Sequence, residues 1–296
     1  MISMNRVPKT LFSLIAFSGI VAFSACGSSD SNDDNPDMPA PKPLVQLSSS
    51  ATLGNHLTDV DGNSLYYFSN DADGKNNCTG GCAALWPVYY AGDNLAQDAL
   101  ASGLDIKDFS TITTSDGKNE TTYKSWPLYY YAPGGAREAA GQASGEAVGG
   151  IWFVAKPDYT IMLVNAQLVG NDGKNYTSTY TVGTGQTLYF SDGKGVTLYA
   201  FSPDNFNINN YTKPDFSNDA TWPIYQTDQV VVPSTLDKTQ FTSINVFGKK
   251  QLTYKGWPLY YFGPDGGVRG ANKGVSVPTP GVWPVVTKDV APAPAK

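Results

Sequence analysis

Past Leu53 the apolar positions come in short runs, and none keeps a helical spacing for long. Period-two alternation is the pattern of a strand, whose successive side chains point to opposite faces. In Leu65-Tyr66-Tyr67-Phe68, Tyr66 and Phe68 then share a face and Tyr67 takes the other. Asp-Gly pairs at 61–62, 73–74, 116–117, 172–173, 192–193 and 265–266 punctuate the runs. Between strands this dipeptide favours tight hairpins, because both central residues of the favoured turn have positive φ. The pattern predicts an all-β chain of tandem short strands and hairpins, with no helix longer than a few turns.

The runs repeat. Tyr66, Trp86, Tyr123 and Trp152 return as Tyr199, Trp222, Tyr254 and Trp283, at offsets of 131 to 136 residues. A weaker half-repeat lies inside each copy, since both halves contain Leu-Tyr-x-aromatic and Trp-Pro. Two pseudo-equivalent halves follow, residues 47–165 and 166–290, with a tail at 291–296. The stretch from Tyr159 to Tyr189 has the pattern of more strands and not of a linker, so separate domains and one shared sheet both remain open.

The one long apolar run, Leu11 to Phe23, follows Arg6 and Lys9 and ends at Phe23-Ser24-Ala25-Cys26. It is short and serine-interrupted beside the roughly 20 apolar residues of a spanning helix. It resembles a lipoprotein signal peptide covering residues 1–25, with Cys26 as the lipid attachment point. Phe23 stands where Leu is usual. Residues 26–46, rich in Ser, Asp, Asn and Pro, are expected to be a disordered acidic tether, and they resemble the segment that follows the lipidated cysteine in surface-exported lipoproteins. Gly27 in place of Asp after Cys26 points to the outer membrane. The implied partner is a membrane held through lipid without being spanned.

Charge narrows the function classes. Loss of Arg6 and Lys9 lowers the net charge from −6 by two, to −8. With no basic cluster, nucleic acid is excluded as a partner. The 18 Tyr, 6 Trp, 30 Gly and 20 Pro suit short strands and turns better than helices. Cys78 and Cys82 are an even pair in an oxidising compartment, for which a disulfide is the default. His56 is the only histidine, and no Gly-x-Ser-x-Gly elbow is present, so a Ser-His-Asp triad has no basis. The expectation is a non-enzymatic chain with no cofactor. Asp71 and Asp73 are weak calcium candidates, since that cation needs several clustered oxygens, and a turn is the favoured role for both.

Tyr66-x-Phe68-x-x-Asp71, Tyr199-x-Phe201-x-x-Asp204 and Tyr260-x-Phe262-x-x-Asp265 match one motif. A fourth instance, Tyr129-x-Tyr131, has Gly134 where Asp belongs. The chain resembles bacterial lipoproteins bearing the secreted repeat of unknown function, and Cys78-Thr79-Gly80-Gly81-Cys82 resembles that family's Cys-containing loop. The resemblance implies a secreted or lipid-anchored protein of the bacterial cell envelope. On the residues themselves, the six motif aromatics are expected in the core. Tyr67, Tyr130 and Tyr261, turned to the opposite face, are the surface candidates for ligand binding. Polysaccharide or another envelope protein would be the partner, and the alternative is a redox or metal-handling protein using the Cys78/Cys82 loop.

Overall fold

The computed structural model describes residues 42–296, which form one compact unit. The expected signal peptide, Cys26 and most of the expected acidic tether lie outside the described residues. Strands β1 (Val45–Ser50) and β2 (Gly54–Asp59) pair antiparallel, from Val45 opposite Asp59 to Ser50 opposite Gly54. β3 (Tyr66–Phe68) pairs with β7 (Trp152–Val154), while β4 (Phe109–Thr113), β5 (Asn119–Tyr123) and β6 (Trp126–Pro127) make a three-stranded meander. The second copy repeats the plan. β8 (Met162–Val169) pairs with β10 (Gln186–Ser191), with β9 (Asn175–Tyr176) on its other edge. β11 (Phe241–Val246), β12 (Lys249–Tyr254) and β13 (Trp257–Pro258) rebuild the meander. Among the described residues the one α-helix, α1, is the five-residue Gly81–Leu85.

The two meanders turn differently. At Asp116-Gly117 only Gly117 has positive φ, +80°, so this turn is not the mirror type that the dipeptide favours. The corresponding turn in the second copy is Phe247-Gly248, and there both residues have positive φ, +49° and +90°.

At the centre of each copy four chain segments meet in one row of bridged residues. In the first, Val154 flanks Tyr66, Tyr66 flanks Tyr129, and Tyr129 flanks Val88. In the second the row is Val285, Tyr199, Tyr260 and Ile224. All are antiparallel. The two motif tyrosines therefore exchange both backbone hydrogen bonds: Tyr66 N to Tyr129 O is 2.9 Å and the return bond 3.1 Å, against 2.8 and 2.9 Å for Tyr199 and Tyr260. Antiparallel pairing gives each copy a local two-fold relation between its half-repeats.

Aromatic rings stack beside these rows. Trp86 lies on Trp152 with centroids 3.8 Å apart, and Trp222 on Trp283 at 3.6 Å. Phe68 continues the first column at 4.0 Å and Phe201 the second at 4.4 Å. Tyr131 and Phe262 close the other ends, 4.5 and 4.3 Å from their tryptophans. Such contacts add about 0.5–1.5 kcal/mol per pair beyond area burial.

The copies also hold each other. Arg269 of the second copy lies 4.1 Å over the Trp126 ring and donates to the carbonyls of Asp71, Ala72 and Lys124 in the first. Trp126 Nε1 donates in return to Gly193 O at 3.0 Å.

Candidate functional site

Antiparallel pairing at the motif tyrosines points each ring toward the far half-repeat. The hydroxyl of Tyr129 donates to Asp71 Oδ2 at 2.6 Å, and that of Tyr66 donates to Glu138. In the second copy Tyr260 donates to Asp204 Oδ2 at 2.7 Å and Tyr199 to Asp265 Oδ2 at 2.6 Å. Each half-repeat thus supplies a tyrosine to the other's carboxylate. Glu138 is the acid missing from the fourth motif, four residues beyond Gly134 and carried on a longer side chain.

The second oxygen of each acid caps a turn. Asp71 Oδ1 accepts from Asn77 N at 2.8 Å, Asp204 Oδ1 from Asn210 N at 2.7 Å, Asp265 Oδ1 from Lys273 N at 2.9 Å, and Glu138 Oε2 from Ser144 N at 2.7 Å. Sequence reasoning did not single out the asparagines. Asn76-Asn77 and Asn209-Asn210 follow their motif Asp by the same five and six residues, and that shared spacing was the available signal. Burial pushes Asp71 and Asp204 up to about 7 despite the bonds they accept. Asp265 moves the same way for the same reason, and burial also raises the four tyrosines above the ordinary phenol range.

A further acid lies behind the first copy's loop. Glu120 is fully buried; its Oε2 accepts from Asn76 Nδ2 at 2.8 Å, and its Oε1 has no partner. The equivalent residue, Gln251, satisfies both ends: Oε1 accepts from Asn209 Nδ2 at 2.8 Å and Nε2 donates to Leu259 O at 2.9 Å. Burial pushes Glu120 up to about 8.

Cys78 and Cys82 form the disulfide. Cys78 is buried against the Trp86–Trp152 column, at the position Tyr211 takes beside Trp283. Cys78, Thr79, Gly80, Pro87, Val88 and Lys118 border an open cleft of about 280 Å³. With both thiols bonded and His56 Nε2 engaged 3.1 Å from Ser64 Oγ, this state offers no thiolate ligands. Among the described residues, no three His, Cys, Asp or Glu side chains gather as a metal site. Asp71 faces inward to Tyr129, whereas exposed Asp73 caps its own turn through Lys75 N and Asn77 Nδ2. The two do not converge on a cation.

The surface assignment of Tyr67, Tyr130 and Tyr261 is corrected. Tyr67 and Tyr130 are buried and Tyr261 is half-buried. Around these tyrosines the chain is covered on both faces, so the alternate position turns into a second layer and not to solvent. Tyr130 OH donates to Asp59 Oδ2 at 3.0 Å and Tyr261 OH to the equivalent Asp192 Oδ2 at 2.9 Å. Tyr67 OH has no partner. Of the six residues expected in the core, Tyr66, Phe68, Tyr199, Tyr260 and Phe262 are buried. Phe201 is half-buried, although it holds the same place at the end of its column as the buried Phe68.

Comparison with known proteins gives a family and nothing closer. Residues 48–98 and 110–156 match the model of the family described as the secreted repeat of unknown function. The matches are the two halves of the first copy, so the family's unit is the half-repeat, with one motif tyrosine each. No curated protein and no solved structure matches the chain.

Proposed function

We propose that this chain, which carries two secreted repeats of unknown function, is a non-enzymatic binding or structural module of the bacterial cell envelope. It is lipid-anchored through Cys26 at the outer membrane. The observation that carries this reading is the internal use of the motif's polar groups. The hydroxyl of the leading tyrosine in each motif bonds a buried carboxylate, and every such carboxylate also caps a turn, so these groups stiffen a scaffold and do not face a substrate. No helix among the described residues is long and apolar enough to cross a membrane. Ligand contact then falls to the loops and clefts around the repeats. Enclosure of Tyr67 and Tyr130 argues against sugar stacking on their faces.

Two measurements test this. Intact mass of the membrane-extracted protein should show a lipid adduct on a chain beginning at Cys26, and Cys26→Ser should release the protein to the soluble fraction. An unmodified Cys26 sinks the anchor. A screen of the Cys26→Ser chain against glycans and envelope extracts should yield a ligand that survives His56→Ala. Substrate turnover by the same chain would replace this reading with an enzymatic one.

A further inference from the structure

A second cleft, of about 420 Å³, opens where the copies meet. Thr52, Asn55 and Lys156 come from the first copy, and Val231, Ser234 and Lys238 from the second. Its wall is pinned, since Thr160 N donates to Val231 O and Val231 N to Thr160 Oγ1, both at 2.9 Å. Lys156 is only 7% exposed and is the one buried lysine among the described residues. It makes no ion pair within 4.0 Å and no hydrogen bond there; its nearest aromatic contact is the Tyr159 ring, 5.1 Å from Nζ to centroid. The stem is enclosed while Nζ reaches the cleft with no protein hydrogen-bond partner, so an entering anion meets an unpaired cation and can accept a charge-assisted hydrogen bond from it.

The surrounding charges favour a single negative charge. Lys238 lines the same cleft without an ion pair, and exposed Asp158 is the one carboxylate in the lining. Glu146 lies behind Lys156 beyond ion-pair distance, with Oε2 bound to Val154 N and Oε1 unpartnered. Burial lowers both Lys156 and neighbouring His56, so His56 adds no positive charge at neutral pH. Two lysines stand against the rim carboxylate of Asp158 and, behind Lys156, that of Glu146, a balance that leaves room for a monoanion and not for a dianion. Thr52, Asn55 and Ser234 offer hydrogen bonds to hydroxyls, while Val230 to Val232, Leu53 and Leu236 give an apolar wall. The volume is that of a small ligand, at the lower end of such sites. The charge does not belong to the repeat: Thr287 stands at the equivalent place, offset by 131.

We propose that this cleft binds the carboxylate of a small hydroxylated monoanion, a uronic-acid unit of an acidic polysaccharide, with Lys156 as its anchor and Lys238 at its rim. The proposal rests on the binding reading above and names its ligand class. NMR titration of the Cys26→Ser chain with D-galacturonate, trigalacturonate, D-glucose and inorganic phosphate tests it. Galacturonate should bind at millimolar concentration and trigalacturonate more tightly, which separates polymer from free acid; glucose should not bind. Lys156→Met should weaken uronate binding about tenfold, as expected for one charge-assisted hydrogen bond, and Lys156→Arg should restore part of it. Equal binding of glucose, unchanged affinity in Lys156→Met, or phosphate binding where uronates do not would overturn the proposal. If Lys156→Met does not fold, Lys238→Gln and Ser234→Val decide, each expected to weaken binding about threefold, and unchanged affinity in both overturns it. A ligand found by the wider screen with no uronate binding sinks this cleft alone, whereas no ligand in either sinks the binding reading too.

Discussion

Tyr260 and Asp204 come from different half-repeats, 56 residues apart, and meet at 2.7 Å with both side chains buried. Their backbones are linked through Tyr199, which pairs with Tyr260 and begins the motif that ends at Asp204. Strand pairing and side-chain exchange thus enforce the same register. Tyr260→Phe keeps the ring and removes the donor, so a buried carboxylate oxygen loses its partner. The expected loss is about 1–3 kcal/mol in urea denaturation. No measurable loss would mean that water replaces the hydroxyl and that the exchange contributes little.

Glu120 should make stability depend on pH. Its carboxyl titrates near 8 when folded and near 4.3 in an unfolded chain. The folded state therefore holds the proton more tightly. This stabilisation is complete below about pH 4 and is lost as pH rises through about 8. Asp71 and Asp204, near 7, act in the same direction over a window ending one unit lower. Glu120→Gln copies Gln251 and lets an amide N–H take the place of the acid proton. The variant should match the parent at pH 5 and exceed it at pH 8.5 by on the order of 2–4 kcal/mol. An equal difference at both values would show that Glu120 does not titrate in this range.

Tyr67 and Tyr130 separate a buried hydroxyl without a partner from one with a partner. Tyr67→Phe removes an unsatisfied group and should raise stability by about 1 kcal/mol, whereas Tyr130→Phe strips a donor from Asp59 and should lower it by about 1–2 kcal/mol. Thermal melts of the two variants side by side give the sign. A loss in Tyr67→Phe would reveal a water or a moving partner at its hydroxyl.

Gly274 tests how tightly the rings are packed. A Cβ there would stand 2.7 Å from Trp222 and 2.8 Å from Tyr199, and at the equivalent Gly145 it would stand 2.9 Å from Trp86 and Tyr66. Neither glycine has positive φ, so the constraint is space. Gly274→Ala should cost about 1–3 kcal/mol and change the near-UV spectrum of the Trp222–Trp283 stack. Gly81→Ala, with nothing within 4 Å of the added carbon, is the control and should be close to neutral.

The sequence by itself determined the all-β class, the two copies, the half-repeat, the Cys78–Cys82 bridge and most of the buried aromatic set. Alternation, offset and spacing are properties of the chain read in order, so they survive without coordinates. Which face is covered is a different matter. Alternation puts Tyr67 and Tyr130 opposite Tyr66 and Tyr129, and only tertiary packing, of Trp126 and Tyr159 on Tyr67 and of Tyr89, Arg137 and Asp59 on Tyr130, encloses that face. The partners of the motif acids were equally out of reach, because Asp71 and Tyr129 meet only once antiparallel pairing has crossed the half-repeats. Glu138 had no motif position to mark it. Lys156, one ordinary lysine in the sequence, became distinctive only when folding buried it between the copies without a counter-charge within ion-pair distance. Contacts between segments far apart in sequence depend on how the segments cross, and no local pattern carries that information.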